Sequence, residues 1–446
     1  MTRRRHRQLR LYVALPAIVS LCVGMSVSAA RAATEITLWT MRTVEAQMGN
    51  LREDVVEFER QNPGIKVTIE AVPYNVVYPK LAAAIQAGTP PNVFNNIEAM
   101  VAFMQAKGVL EPIDDVVDSL DRGQFTKKYL DWVSAGGKTW AIPDWALHQA
   151  VYYRKDLFVQ KKLSVPKSWG ELLDVAKTLN NVKDGMHGMG VPLGREFVGQ
   201  QTLGAVMYSA GAYVYDPSAH KYVFDKNKDK AVRALKFLVD LYKSASPPAS
   251  IDWSWGEYRT AFVKEKVAMT FEWGAVVGQA ASENAALLDK IGIFPFPGPD
   301  ASDYPPKANF GGAYFFTVSK ADPPKVDASK KLLRFLWTPD RLAKRANTRP
   351  VFAIPPAKAA FESAVYQSHP MVKRFAPELR MIVRDVMPYE QRHGLEAGLS
   401  PLAGLIESSY VFGDAVQNVI LRNWTPERAV DWIDGQLQMM RAYVEK

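Results

Sequence analysis

The chain has 446 residues, of which 48% are hydrophobic and 23% charged, with a formal charge of +9. That balance excludes a disordered or low-complexity chain, and the length calls for two or three domain-sized cores. One cysteine, Cys22, leaves no disulfide framework to hold the fold, so a buried core must do it.

Residues 1–32 have the composition of a secretory signal peptide. Arg3, Arg4, Arg5, Arg7 and Arg10 precede the apolar run Leu11–Met25, and Ala30-Arg31-Ala32 supplies an A-x-A cleavage site. The apolar run falls short of the roughly 20 residues needed to span a bilayer. Leu21 before Cys22 does not suit a lipid-modified cysteine, and Arg5-His6 does not suit twin-arginine export. The mature chain is expected to begin near Ala33 and to work in the periplasm or on the outer face of the cytoplasmic membrane. Removing residues 1–32 takes away six arginines and no acid, so the charge falls from +9 to +3. Most of the basic charge therefore belongs to the leader and gives little support for a nucleic-acid partner.

The next stretch reads as strand, helix, strand, helix, strand. Ile36–Trp39 is a short strand. Leu51, Val55 and Phe58 recur at helical spacing through Val44–Gln61, and Asn62-Pro63-Gly64 stops the helix. Ile65, Val67 and Ile69 alternate with Lys66, Thr68 and Glu70, a strand with one buried face. A helix over Tyr78–Ala87 ends at Gly88, and Pro90-Pro91 leads into a strand at Val93-Phe94. This order implies a parallel sheet flanked by helices. Trp169–Asn180, Lys228–Lys243, Ala328–Trp337 and Pro426–Val444 are amphipathic helices, while Gly292–Phe296 and Gly311–Val318 return to strand patterning. A chain that leaves one sheet, builds a second core and returns gives two discontinuous lobes.

Enzyme motifs are absent or incomplete. Gly136-Gly137-Lys138-Thr139 has Trp132 where a phosphate loop needs its first glycine, so it reads as a turn between strands. Gly188-Met189-Gly190 lacks the third glycine of a dinucleotide turn, and there is no G-x-S-x-G or H-E-x-x-H. His148, His187, His220, His369 and His393 are scattered, so no metal and no cofactor is expected. The acids Glu98, Asp144, Glu196 and Glu272 lie beside aromatics, a pattern that suits hydroxyl binding better than catalysis.

Aromatics in turn-rich sequence are the stronger signal: Trp39, Trp140, Trp145, Trp253, Trp255, Trp273, Tyr314 and Tyr389. A sugar ring offers an apolar face for stacking and a rim of hydroxyls for polar side chains. Trp39-Thr40, Asp144-Trp145 and Glu272-Trp273 each set an aromatic beside a polar partner.

The mature chain resembles the extracellular solute-binding proteins of carbohydrate ATP-binding-cassette importers, the family of the maltose- and multiple-sugar-binding proteins. The resemblance is carried in family order by Ile36–Met41, Glu57–Glu70, Lys80–Phe94, Gly136–Pro143, Val151–Phe158, Pro166–Leu172, Ala261–Met269, Ile291–Pro299 and Asn309–Gly312. Arg154 departs from it, standing where the family has Asn or Asp. The resemblance implies an α/β, two-lobed periplasmic-binding-protein fold with discontinuous lobes and a ligand cleft between them. One lobe would hold residues 34–147 and 296–347, the other 148–295 and 348–446. It further implies ligand contacts from Trp39, Thr40 and Met41, from Asn95, Asn96 and Glu98, and from Asp144, Trp145 and His148. From the second lobe come Arg195, Glu196, Trp273 and Gly274, then Gly311, Gly312, Tyr389 and Arg392. Trp273 and Trp145 would stack, and Asp144, Glu98 and Glu196 would accept hydroxyls. The implied protein is a monomer, not an enzyme, that hands a small carbohydrate to the permease subunits of an importer. A polyol-phosphate carrier, using Arg195, Arg349 or Arg392, is the alternative. A secreted carbohydrate-active enzyme and a receptor-docking sensor are further readings.

Overall fold

β1 (Thr34–Thr40), α1 (Glu45–Gln61), β2 (Ile65–Ala71), α2 (Tyr74–Gln86) and β3 (Val93–Ile97) open the chain in a computed structural model that describes residues 33–219, 221–306 and 308–444. The leader expected over 1–32 and His220 lie outside the described residues. β1 pairs in parallel with both β2 and β3, with Leu38 opposite Ile69 on one side and Val93 on the other. Such parallel neighbours need a crossover, and α1 and α2 provide it. α1 buries Leu51, Val55 and Phe58, and Asn62 closes it by donating from its side chain to the Phe58 carbonyl at 2.9 Å. α2 starts at Tyr74, a full turn earlier than the apolar pattern predicts, which sets Tyr74 and Tyr78 on the same face.

α3 (Glu98–Ala106), β4 (Leu110–Glu111), α4 (Asp114–Ser119) and α5 (Lys127–Trp132) follow. A two-residue hairpin joins β5 (Ser134–Ala135) to β6 (Lys138–Thr139), and its corners Gly136 and Gly137 have φ of 60° and 71°. Positive φ at both corners is the geometry that favours two glycines, so this motif is a turn between strands. β7 (Ala141–His148) ends the first stay in this sheet, and β8 (Ala150–Arg154) begins a second sheet one residue later.

The second sheet is antiparallel, with β8 between β9 (Met269–Glu272) and β10 (Ile291–Pro295). Around it pack α6 (Lys155–Lys161), α7 (Trp169–Leu179), α8 (Phe197–Ser209), α9 (Lys228–Ala245), α10 (Glu257–Val263) and α11 (Ala275–Glu283). Ser168 caps α7 by accepting from the Glu171 N–H at 3.2 Å, while the Glu171 carboxylate accepts from the Lys167 N–H at 2.8 Å. α8 is buried on nearly every side, so it lies between layers and has no solvent face.

β11 (Asn309–Ser319) returns to the first sheet and is its spine, pairing antiparallel with β3, β4 and β7. α12 (Pro323–Leu336), α13 (Pro339–Asn347), the short helices α14 to α17 over 358–381, β12 (Glu390–Gln391), α18 (Leu402–Ser409), α19 (Val411–Arg422) and α20 (Pro426–Val444) complete the chain. β12 adds to the start of β11, so the C-terminal third also touches the first sheet. The two sheets and their helices form two discontinuous lobes. Among the described residues no helix is long and apolar enough to cross a membrane.

Candidate functional site

A cavity of about 1370 Å³ lies between the lobes. Tyr74, Tyr78 and Ala82 of α2, Glu98 and Phe103 of α3, and Gly312, Ala313 and Tyr314 of β11 form one wall. Glu196, Phe197 and Gln201 from the start of α8, Trp255 and Arg259 at α10, and Trp273 after β9 form the facing wall. Arg349, Phe352, Arg392, Gly404, Leu405, Ser408 and Tyr410 complete it from the C-terminal third. Nine of these side chains are aromatic, which makes the wall suited to flat, partly apolar ligands.

Charge in the wall is mostly paired. Arg392 bridges two carboxylates, with Nε 2.7 Å from Glu98 Oε1 and Nη2 2.6 Å from Glu407 Oε1. Burial pulls the Arg392 guanidinium down, but Glu407 and Glu98 outweigh it and hold the charge more firmly than usual. Burial also raises the Glu98 carboxyl against the opposing pull of Arg392. Arg259 Nε lies 2.9 Å from Glu272 Oε2, and the same carboxylate accepts from the Val276 N–H at 3.1 Å. Behind the wall, burial holds the Glu390 carboxyl well above the usual range, with the Tyr129 hydroxyl 2.6 Å away. Four polar atoms on cavity residues are buried with no partner: Tyr78 Oη, Glu196 Oε1, Gln201 Oε1 and Trp273 Nε1.

Of the residues the resemblance implies, the structure brings Glu98, Glu196, Trp273, Gly312 and Arg392 to this cavity. The others do not line it. Trp39 packs edge-on against Phe94, with Lys80 Nζ 4.7 Å from its ring centre. Met41 belongs to the hydrophobic core. The Thr40 hydroxyl donates to Asn95 Oδ1 at 3.1 Å, and Asn95 Nδ2 donates to the Phe315 carbonyl. Asn96 Nδ2 donates to the Phe94 carbonyl and to Thr317 Oγ1. Thr40 and Asn95 thus hold neighbouring strands together, as does the Asn96 amide nitrogen, while Asn96 Oδ1 is buried without a partner.

Asp144 is fully buried and ion-paired to both Arg42 and Arg345. Its position follows from a bulge. Tyr314 of β11 faces Trp145 and Phe315 faces Pro143, so Asp144 is an extra residue that leaves the alternation. Trp145 lies under the Arg42 guanidinium at 4.4 Å and meets the Tyr314 ring edge-on at 5.7 Å, and Tyr314, not Trp145, lines the cavity. His148 Nε2 meets the Tyr152 hydroxyl at 3.2 Å, and burial pulls the imidazole down to about 3. Arg195 pairs with Asp414 at 2.6 Å in a separate surface groove. Gly274 precedes α11 at φ 97°, where a Cβ would lie 2.6 Å from the Val351 carbonyl. Gly311 faces the Glu390 carboxyl. Tyr389 sits in the short turn before β12, off the cavity wall.

Sequence reasoning missed Tyr74, Tyr78, Phe197, Gln201, Arg259, Phe352 and Tyr410. The available signal was the i, i+4 spacing of Tyr74 and Tyr78, two aromatics on one helical face that are half-buried against the core and open on the cavity. The remainder come from separate elements that only the tertiary fold assembles.

Comparison with known proteins agrees with this architecture. A binding protein of Brucella abortus (strain 2308) is 26% identical over 333 residues, covering 73% of this chain and 78% of that protein. The sn-glycerol-3-phosphate-binding periplasmic protein of Escherichia coli (strain UTI89) is 24% identical over 459 residues, covering 95% and 97%. Among solved structures, maltose-bound T. maritima MalE3 superposes with a TM-score of 0.75 at 23% identity, over 92% of this chain and all of that one. The ribitol complex of a solute-binding protein from Agrobacterium radiobacter K84 gives 0.74 at 20% identity, over 92% and 99%. At these identities the structural likeness shows the fold. The bacterial extracellular solute-binding protein model matches residues 55–374, most of the chain and both sheets, and so this two-lobed protein belongs to that family.

Proposed function

We propose that this protein captures a carbohydrate, a sugar or polyol, in the cavity between its lobes and delivers it to the permease of an ATP-binding-cassette importer. The observation that carries this reading is the wall itself: ten aromatic side chains, Tyr443 of α20 with the nine above, interleaved with polar groups. Four of those polar atoms have no protein partner. The sugar- and polyol-bound relatives of the same fold support it. Ligand contacts on both lobes stabilise the closed arrangement over the open one, and that differential is what shifts the population.

The ligand contacts we assign are Tyr74, Tyr78, Tyr314, Trp255 and Trp273 for ring faces, and Glu196, Gln201 and Glu98 for hydroxyls. Gly312 gives the ligand room beside Arg392, since a Cβ there would stand 3.4 Å from Arg392 Nη1. We read the site as binding without chemistry, because Glu98, Glu272 and Glu407 are each tied to an arginine and Glu196, the lining carboxylate without such a tie, has among the described residues no second free carboxylate to form the pair that glycoside hydrolysis uses. A working general acid or base needs a carboxyl free to exchange its proton with the reacting atoms. The lobes we assign are 34–147 with 296–347 and 148–295 with 348–446, the protein is read as an exported monomer, and residues 1–32 as its leader.

Thermal unfolding against mono-, di- and trisaccharides, polyols and their phosphates tests the reading. A saturating ligand at a hundred times its Kd adds about 2.7 kcal/mol, a shift of several degrees. Recovery of the ligand unchanged is the expected second result. A flat response across the panel, or recovery of a cleaved ligand, sinks it. The glycerol-phosphate-binding relative places polyol phosphates in the same panel.

A further inference from the structure

Arg349 differs from the other guanidiniums of the cavity wall. Arg259 holds Glu272, and Arg392 holds Glu98 and Glu407. Arg349 is half-buried, with no carboxylate within salt-bridge distance and no side-chain hydrogen bond among the described residues. Its backbone is fixed on the turn after α13: its N–H donates to the Ala346 carbonyl at 3.0 Å, and its own carbonyl accepts from the Ala353 N–H at 2.9 Å. The guanidinium carbon lies 3.7 Å from the centre of the Phe352 ring, another cavity residue. Stacking of this kind fixes the plane of the fork and leaves its N–H edge free for a planar, bidentate acceptor.

A ligand that covers this half-buried cation completes its desolvation, which is costly unless the protein or the ligand brings a counter-charge. The surroundings do not supply it. Glu272, the carboxylate whose field reaches Arg349, is already committed to Arg259, whose own charge opposes. Burial accordingly lowers the Arg349 guanidinium below its ordinary value. Arg195, another cation with the right chemistry for an anion, is spent on Asp414 outside the cavity.

We propose that Arg349 is an anion subsite and that the ligand is an acidic carbohydrate, a sugar or polyol bearing one carboxylate or phosphate group. The aromatic wall takes the apolar ring face, Glu196 and Gln201 take hydroxyls, and the Arg349 fork takes the anion. This inference rests on the carbohydrate reading above and narrows it.

The test is calorimetric titration of the full mature chain with matched probes: glucose, glucuronate and glucose 6-phosphate, and glycerol, glycerate and glycerol 3-phosphate. In at least one series the acidic member binds about tenfold tighter or more than its neutral parent, and added salt narrows the gap. The carboxylate and phosphate arms tell which anion the subsite takes. Arg349→Gln removes the preference while leaving the neutral probe within about threefold, and Arg349→Lys keeps part of it through charge without the fork. Ligand-free Arg349→Gln melts no lower than the parent, because no intramolecular ion pair is lost. Neutral sugars that bind as tightly as their acids overturn the anion subsite and leave the carbohydrate reading standing. Equal loss of both probes in Arg349→Gln, with a melting temperature several degrees lower, makes Arg349 structural and overturns it as well. Silence from both series overturns the two together.

Discussion

Removing the Trp273 ring separates a ligand contact from a packing contact. The side chain is 4% exposed, meets Phe310 edge-on at 5.8 Å, and carries a buried Nε1–H with no partner. At 4% exposure only about 10 Å² of a side chain of roughly 250 Å² is open to a ligand, about 0.3 kcal/mol at about 25 cal/mol per Å². A hydrogen bond from the unpartnered Nε1–H adds about 0.5–1.5 kcal/mol, so Trp273→Ala is expected to cost about four- to twentyfold in Kd. The same substitution opens a cavity in the wall and costs about 3–5 kcal/mol of folding stability, so Trp273→Phe is the necessary companion. Phenylalanine keeps a stacking face and loses the N–H, a loss of about 0.5–1.5 kcal/mol in binding if the ligand accepts from it. Titration calorimetry well below each variant's melting temperature, with the sugar that stabilises the parent, reads both. The graded order parent, Trp273→Phe, Trp273→Ala is the expected outcome. Parental Kd in both variants, or a reduced active fraction with unchanged Kd, refutes stacking at this position.

Three further perturbations probe other parts of the molecule. A Cβ on Gly311 would stand 2.1 Å from the buried Glu390 carboxyl carbon, whereas one on Gly312 meets Arg392 Nη1 at 3.4 Å and Glu98 Oε1 at 3.7 Å. Gly311→Ala should therefore cost about 1–3 kcal/mol of stability by overpacking, while Gly312→Ala should melt normally but bind about tenfold more weakly. Asp144→Ala strands Arg42 in the core, leaves Arg345 with Asp54 at 4.0 Å as its carboxylate, and is expected to cost about 3–5 kcal/mol in urea unfolding with Kd unchanged. A large Kd change at constant stability would return Asp144 to the ligand site. His148 and Glu396 give pH dependences of opposite sign. Burial holds His148 down to about 3 from 6.5, so the unfolded chain binds the extra proton and stability is lost as pH falls from 6.5 toward 3. Glu396, with the Tyr208 hydroxyl 2.6 Å away, is raised by burial from 4.5 to about 7. Its contribution is complete below 4.5 and is lost as pH rises to about 7, about 3 kcal/mol in all. Glu396→Gln should flatten that limb of a melting-temperature profile between pH 4.5 and 7, and an unchanged limb would remove Glu396 as its source.

The local elements of this protein were written in short stretches of sequence. Strand alternation in Ile65–Ile69 and helical spacing in Leu51, Val55 and Phe58 predict elements that the structure contains, because both periods express which face of one element meets the core. The return of strand patterning after a long helical insertion likewise predicts two discontinuous lobes, since a chain that leaves a sheet and comes back must cross between them. Which residues meet in the cleft depended on tertiary structure. Asp144 and Trp145 carry suitable side chains near the end of β7, but a bulge opposite Tyr314 turns the acid toward Arg42 and Arg345 and hands the wall to Tyr314. Tyr74, Arg349 and Tyr410 share one cavity although more than 300 residues separate the first from the last. Periodicity reports how a residue faces its own core, whereas a binding site is set by how two cores face each other, and that is decided by packing across the whole chain.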